Sequence, residues 1–360
     1  MVHVHSHIAL LGWVYVALTT MLHYCFVKND ATAHKRHDWI FWATQGTLIG
    51  MLLTFPFQGY ALFSIIFSTL FLIVSYIFFH HFIKNIDSKY KYSKSLQCIK
   101  AALWYMALSS VGPWALGVII VTLGAQSIWY RLAIYFYLHF QYNGWMTLAL
   151  IGLFFFVLEQ HDIVISKKRF DRFFWVLNIG VAFTFLLSSL WTEPSTWVFV
   201  LAGFGALAQG VAFILLWTMT VPEVKKIPLT KMQCMLLKSV VVIGLVKLLL
   251  QLLTSLPYFA QIAAIHLHLT IGYLHLTFLG AISIALFFLI DYFRFFRISK
   301  RSYFLYFFGF LITEIFIFHK GLASWLQLKT FTGHTEILAL ASILIPLGLF
   351  LMFAENRMKS

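Results

Sequence analysis

The sequence predicts an all-α polytopic membrane helix bundle, and two observations carry this prediction. Hydrophobic residues make up 61% of the chain and charged residues only 11%, which is too apolar for a soluble domain. Runs of about twenty apolar residues, the length that crosses a bilayer as a helix, recur along the whole chain. We therefore expect about eleven transmembrane helices, twelve at most, in a single membrane domain that spans residues 1–360.

The expected helices are separated by short loops, with no soluble domain between them. They span residues 5–27, 38–57, 60–83, 96–123, 128–158, 173–191, 195–219, 233–254, 258–293, 303–319 and 334–354. Gly112-Pro113 predicts a kink in the fourth helix, because proline lacks the N–H that a helix interior needs.

The basic residues indicate how the chain lies in the bilayer. A net charge of +14 is typical of nucleic-acid binding, but here the basic residues lie in short loops between apolar spans, so we expect a lipid bilayer as partner and no nucleic acid. The loops after odd-numbered helices are basic, whereas those on the opposite side carry only Arg131, Lys320 and Lys329. The positive-inside rule then places the N-terminus outside and the C-terminus in the cytoplasm, in a bacterial cytoplasmic membrane.

A pattern of histidine and glycine repeats three times. His7 precedes Gly12, His139 precedes Gly144 and His275 precedes Gly280 by five positions each, with starts 132 and 136 residues apart. Each copy lies on the first helix of a block, and the blocks span about 1–125, 126–256 and 257–360, the last without its fourth helix. This periodicity predicts a threefold quasi-repeat in which helices 1, 5 and 9 are equivalent.

Histidines inside apolar spans are the candidate functional residues. Ile265 to Ser283 contains His266, His268 and His275, and an ionisable group at membrane depth indicates function. Haem ligation accounts for these residue types, because imidazole bonds the iron and a nearby glycine lets the flat macrocycle approach the backbone. Hydrogen-bonded packing is the alternative interpretation. The candidate haem ligands are His5, His7, His266, His268 and His275.

Three segments resemble the haem-copper oxidase subunit I superfamily, which includes nitric-oxide reductases, and more loosely the NnrS family. They are His5-Ser-His7-Ile-Ala-Leu-Leu-Gly12, His266-Leu-His268 and His275-Leu-Thr-Phe-Leu-Gly280. The superfamily core has three four-helix arcs, with metal-ligand histidines on helices two, six and ten. Without its first helix, that core has its ligands on helices one, five and nine, as expected here.

The resemblance implies specific roles for these histidines. His5 or His7 would bind a low-spin haem, His266 and His268 would face the high-spin and low-spin haems, and His139 would bind a non-haem metal. The implied cofactors are haem, of b type, with copper or non-haem iron. The chain departs from the pattern because residues 173–191 contain no histidine, and because Asn143 stands where nitric-oxide reductases have glutamate. A complete dinuclear centre and oxygen reduction are therefore not expected.

The resemblance implies electron transfer or nitric-oxide handling, with a redox partner or further membrane subunits, and leaves open an oxidoreductase activity. A proton-coupled permease and a membrane assembly factor that holds haem or copper are the alternatives. Lys247 and Glu314 are predicted to form a proton path or an ion pair, because a buried lysine in a span needs a partner.

Seven other histidines are expected to face solvent or lipid headgroups. His80 and His81 end the third helix beside a lysine, and the others lie in predicted loops. The loop histidines are His34, His37, His161, His319 and His334.

Overall fold

Helices dominate the computed structural model, which describes residues 5, 7–59 and 61–357. The chain is 85% helical, and the described residues include eleven helices long and apolar enough to cross a membrane and no strand. The all-α prediction is thus confirmed. The helices, α1 to α11, are Ile8–Phe26, Ala31–Gln58, Leu62–Asn85, Lys94–Thr122, Ile128–Glu159, Lys167–Thr192, Thr196–Val224, Lys231–Leu253, Leu267–Tyr292, Lys300–Trp325 and His334–Arg357.

Polar residues of the basic loops start the even-numbered helices. In each case a side-chain oxygen accepts a hydrogen bond from a backbone N–H of the first turn, which has no partner within the helix. The capping residues are Asp30, Ser93, Ser166, Thr230 and Ser299. Because Asp30 caps α2, this helix begins at Ala31, seven residues before the predicted start.

Two helices are interrupted. The helical segments of α4 are Lys94–Ser109 and Val111–Thr122, so the helix is interrupted at Ser110, three residues before Pro113. The ninth predicted helix is divided at His266, whose φ of −97° and ψ of 82° leave the helical region. A short helix, Pro257–Ile265, therefore precedes α9. His266 Nδ1 lies 2.9 Å from Ser324 Oγ, and this hydrogen bond joins the interrupted segment to α10.

The chain divides into two compact units, Met1–Val164 and Ile165–Ser360. In the first unit, α2 packs against α3 and α4 against α5, around large buried side chains that include Trp145, Phe78 and Phe155. In the second unit, α6 packs against α7 and α10 against α11. Gly180 and Gly205 allow α6 and α7 close approach, because a Cβ at either glycine would lie 2.7 Å from an atom of the facing helix.

The histidine repeat has a structural counterpart. A π-helical segment follows each repeat histidine directly: Ile8–Tyr15 follows His7, Phe140–Met146 follows His139, and Leu276–Ile282 follows His275. π-helical turns are rare, and they occur frequently at functional sites. The predicted repeat therefore marks the same local distortion in α1, α5 and α9.

Candidate metal centre

Three histidines from three helices converge in the first unit. His23 lies on α1, His37 on α2 and His81 on α3, and one ring nitrogen from each lies within 4.8 Å of the other two. The side chains are buried, with exposed fractions of 7%, 8% and 1% respectively. We call these three residues the histidine triad.

Backbone contacts hold the helix ends that carry the triad. His23 lies three residues before the end of α1, and His81 four residues before the end of α3. The residues that follow the two helices, Val27 and Ile86, form an antiparallel bridge. Its hydrogen bonds run from Lys28 N to Asn85 O at 3.0 Å and from Asp87 N to Phe26 O at 2.9 Å. The Asp30 cap starts α2 beside this bridge and places His37 in its second turn.

The three rings lie in near-parallel planes. The centroids of His23 and His37 are 3.7 Å apart with an interplanar angle of 6°. The ring of His81 is 5.9 Å from His23, at 20°, and 6.4 Å from His37, at 26°. The imidazoles therefore form a compact stack inside the helix bundle.

Each triad ring has a buried nitrogen without a hydrogen-bond partner among the described residues. These atoms are Nδ1 of His23, Nδ1 of His37 and Nε2 of His81. A buried polar atom without a partner costs about 1–3 kcal/mol, and most buried polar side-chain atoms in proteins have one. Three such nitrogens in one cluster are therefore unfavourable unless an additional group binds to them.

A hydrogen-bonded chain sets the tautomer of His23. Asn29 Oδ1 only accepts, so His34 Nε2, at 3.2 Å, is the donor of that contact. In a neutral His34 the other nitrogen, Nδ1, then accepts, and His23 Nε2, at 2.9 Å, donates to it. The hydrogen of neutral His23 is therefore on Nε2, and the lone pair is on the buried Nδ1. This is the arrangement in which a metal-ligating histidine donates its other N–H to a fixed partner.

The surroundings of the other two rings combine polar and apolar groups. Asn85 Nδ2 lies 3.2 Å from His81 Nδ1, on the ring edge away from the unpartnered Nε2. A narrow cavity beside His37 is lined by Tyr15, Thr19 and further residues of α2 and α3. The hydroxyl of Tyr15 is buried and has no partner in the described part of the chain.

The triad corrects several expectations from the sequence. His81 was expected in a headgroup environment and His37 in a solvent-facing loop, but both are buried on helices. His34 is exposed as expected, although it lies in α2, and His80 is exposed beside the buried His81. His23 was not among the candidate ligands. The one signal that could have indicated this site is the i, i+3 pair His34 and His37 after a capping aspartate.

The predicted ligands of the first unit do not meet at the triad. His5 is exposed, and the ring of His7 lies 4.6 Å from that of Phe55. His139, the predicted metal ligand, is buried, and its Nδ1 lies 3.2 Å from Asn143 Nδ2. Asn143, which stands where the resemblance implies a glutamate, is thus the neighbour of this histidine.

The predicted ligands of the second unit lie along α9 and at its start. His266 contacts Ser324, and His268, the second residue of α9, is half-buried. His275 Nδ1 is 3.7 Å from Glu314 Oε1, and both oxygens of this carboxylate lack a hydrogen-bond partner among the described residues. The predicted haem between helices 1 and 9 would need ligands from both units, and it stays a prediction.

Lys247 and Glu314 have different observed neighbours. Lys247 Nζ donates to Gln251 Oε1 at 2.8 Å, and Gln251 Nε2 donates to Gln209 Oε1 at 2.7 Å. Gln209 in turn donates to Thr184 Oγ1 at 3.1 Å, which gives a polar chain across α8, α7 and α6. The predicted pairing of Lys247 with Glu314 stays a prediction.

Two of the repeat glycines do not fit the predicted approach of a haem. A Cβ at Gly144 would lie 2.6 Å from Tyr105, and one at Gly280 would lie 2.8 Å from Ile243 and from Phe310. Side chains of neighbouring helices therefore occupy the space beside both glycines, and helix packing accounts for them. At Gly12 the nearest atom is 3.5 Å away, in ordinary contact.

The comparisons with known proteins leave the geometry as the basis for assigning a function. No protein-family model matches the chain, and no curated protein matches it either.

Proposed function

We propose that this chain is an integral membrane protein that holds one first-row transition-metal ion between His23, His37 and His81 and serves in metal handling at the membrane. The observation that carries the proposal is the cluster of three buried ring nitrogens without hydrogen-bond partners among the described residues. A single ion bound to all three would remove all three unfavourable groups. Packing alone leaves the lone pairs without a partner.

The ligand set selects the kind of metal. Imidazole nitrogens suit zinc, copper, nickel and iron, whereas calcium and magnesium take oxygen ligands. Three protein ligands leave a fourth position of a tetrahedral ion for water or another ligand. Three neutral imidazoles also leave the whole charge of the ion uncompensated in a region of low dielectric. This favours monovalent copper over divalent ions.

The location of the triad suits exchange of the ion. It lies within about one turn of the ends of α1 and α3, and His34, which contacts His23, is exposed. On the predicted topology these helix ends face the cytoplasm. A membrane assembly factor that takes up copper there and passes it on is the form of metal handling that we propose.

Metal content of variants tests the proposal. Purified protein, stripped with a chelator and reloaded with copper(I) or zinc(II), should bind one equivalent by elemental mass spectrometry. H23Q, H37Q and H81Q should each lose it, whereas H80Q should retain it because His80 is exposed on the same helix. A wild-type protein that binds no metal, or triad variants that bind as H80Q does, would refute the proposal.

A haem-binding protein that resembles haem-copper oxidases is the second candidate, for electron transfer or nitric-oxide handling. The π-helical segments after His7, His139 and His275 favour it, because all three lie at the histidines that the resemblance singles out. The tight packing at Gly144 and Gly280 argues against haem binding beside these glycines, because it leaves no space for the macrocycle. A reduced-minus-oxidised absorption spectrum of the protein expressed with haem tests it. The absence of Soret and α bands would remove this candidate.

A further inference from the structure

A cleft between α6 and α7 lies outside every site described above. Arg169 and Arg172, one turn apart on α6, form one wall, and Leu215, Thr218 and Met219 on α7 form the other. Its volume is about 280 Å³. Because α6 begins at Lys167 and α7 ends at Val224, the cleft lies at the end of the second unit that bears its basic loops.

The two arginines have no carboxylate within ion-pair distance among the described residues, and the nearby acids have lysine partners. Asp171, next to Arg172 in the chain, pairs with Lys167, and Glu223, at the end of α7, pairs with Lys226 at 2.7 Å. The cleft therefore carries two exposed guanidinium groups. Guanidinium donates paired hydrogen bonds to phosphate oxygens and suits this group better than lysine does.

The opposite wall adds one polar and two apolar side chains. The Thr218 hydroxyl donates to Leu215 O at 3.0 Å within α7, so the phosphate contacts rest on the two arginines. Leu215 lies one turn before Thr218, and Met219 directly follows it. Along α7, Leu215 lies farther from the loop than Thr218, toward the hydrophobic interior of the span. The cleft thus combines a site for an anionic head with a surface for a hydrocarbon chain.

We propose that this cleft binds the headgroup phosphate of an anionic phospholipid, with the acyl chain along Leu215. Basic pockets between transmembrane helices at the cytoplasmic face bind anionic headgroups by this chemistry. Free inorganic phosphate can make the same contacts with the arginines, but it has no hydrocarbon chain to pack against the apolar wall. This inference is independent of the proposed metal site, which lies in the other unit.

Native mass spectrometry of the purified full chain tests the site. Wild-type protein in detergent should keep one phosphatidylglycerol molecule, and R169Q/R172Q should bind it about thirtyfold more weakly, as two basic side chains near an anionic group predict. The matched control is R297Q/R301Q, in which the two changed arginines are also exposed on a basic loop and the following helix. Equal affinity in R169Q/R172Q and wild type, or equal loss in both double variants, would overturn the site.

Two further experiments distinguish a bound lipid from free phosphate. L215A should weaken phosphatidylglycerol binding while leaving both arginines in place, and millimolar inorganic phosphate should fail to displace the lipid from wild type. Displacement by phosphate, or no effect of L215A, would overturn the lipid assignment. For wild type alone, nanodiscs with phosphatidylglycerol should give a higher unfolding temperature than nanodiscs of phosphatidylcholine. Equal temperatures would count against the proposal even if the variants fail to fold.

Discussion

The imidazole of His23 lies flat against that of His37, with ring centroids 3.7 Å apart and planes 6° apart. Each ring also has an Nδ1 atom that is buried without a hydrogen-bond partner in the described part of the chain. Ligand nitrogens of a tetrahedral ion lie about 3.3 Å apart, from bonds of about 2.0 Å. The triad nitrogens lie within 4.8 Å of one another, and the in-plane lone pairs of stacked rings run parallel. Binding one ion therefore requires the rings to tilt toward it, together with a contraction of about 1.5 Å or less.

His37→Phe separates the packing role of this ring from its role as a ligand. Phenylalanine keeps an aromatic ring against His23 and near Phe78, so the metal-free unfolding temperature should stay within a few degrees of wild type. Wild type should gain about 2.7 kcal/mol from copper at a hundredfold excess over the dissociation constant. H37F should gain none, as measured by thermal unfolding with and without copper(I). H80F is the control and should respond as wild type does.

The chain from Asn29 through His34 to His23 predicts a graded loss of affinity. His34→Phe removes the acceptor of the His23 Nε2 hydrogen, and loss of such a partner weakens metal binding by about tenfold to a hundredfold. We expect the lower end, because His34 is exposed and water can replace it. His34→Gln, which restores an acceptor oxygen, should recover part of the affinity in a competition titration with a chromogenic chelator. Equal dissociation constants for H34F and wild type would exclude this positioning role.

The transmembrane helices were predictable because a bilayer demands long apolar runs, whichever helices pack together. The histidine triad was not, because its ligands come from three helices and only the tertiary fold brings residues 23, 37 and 81 together. The polar run before residue 38 also has the composition of a loop. Asp30 nevertheless caps a helix there, and this cap puts His37 on a buried face.

The glycine repeat illustrates the same limit. The spacing of Gly12, Gly144 and Gly280 was visible in the sequence, and it coincides with three π-helical segments. The side chain opposite each glycine belongs to a neighbouring helix, so the local sequence pattern does not predict it. Tyr105 faces Gly144, and Ile243 and Phe310 face Gly280.

Alanine substitutions at these glycines test whether the glycines serve helix packing or leave space for a cofactor. G144A and G280A place a Cβ at 2.6 Å and 2.8 Å from a neighbouring side chain, and overpacking of this kind costs about 1–3 kcal/mol. G12A meets only an ordinary contact at 3.5 Å, so its stability should stay within about 1 kcal/mol of wild type. The measurement is denaturant unfolding in mixed micelles without added haem. Wild-type stability for G144A and G280A would show that packing does not require these glycines.

Gln251 should matter more for stability than the charged Lys247 beside it. Gln251 is buried, accepts from Lys247 Nζ at 2.8 Å and from the Tyr273 hydroxyl at 3.2 Å, and donates to Gln209 at 2.7 Å. Q251L removes all three bonds, two of which join α8 to α7 and α9, at about 1 kcal/mol for each bond. K247M removes the ammonium group itself, and Gln251 keeps its bonds to Tyr273 and Gln209.

We therefore expect K247M to lie within about 1 kcal/mol of wild type and Q251L to lose several times that amount. Equilibrium unfolding of both variants, followed by tryptophan fluorescence, measures the difference. Comparable losses in K247M and Q251L would mean that the ammonium group stabilises its surroundings beyond the glutamine chain. Lys247 would then have a stabilising partner besides Gln251, and the double variant K247M/E314Q would show whether Glu314 is that partner. With the single variant E314Q measured as well, a loss in the double variant smaller than the sum of the two single losses would indicate the predicted pair.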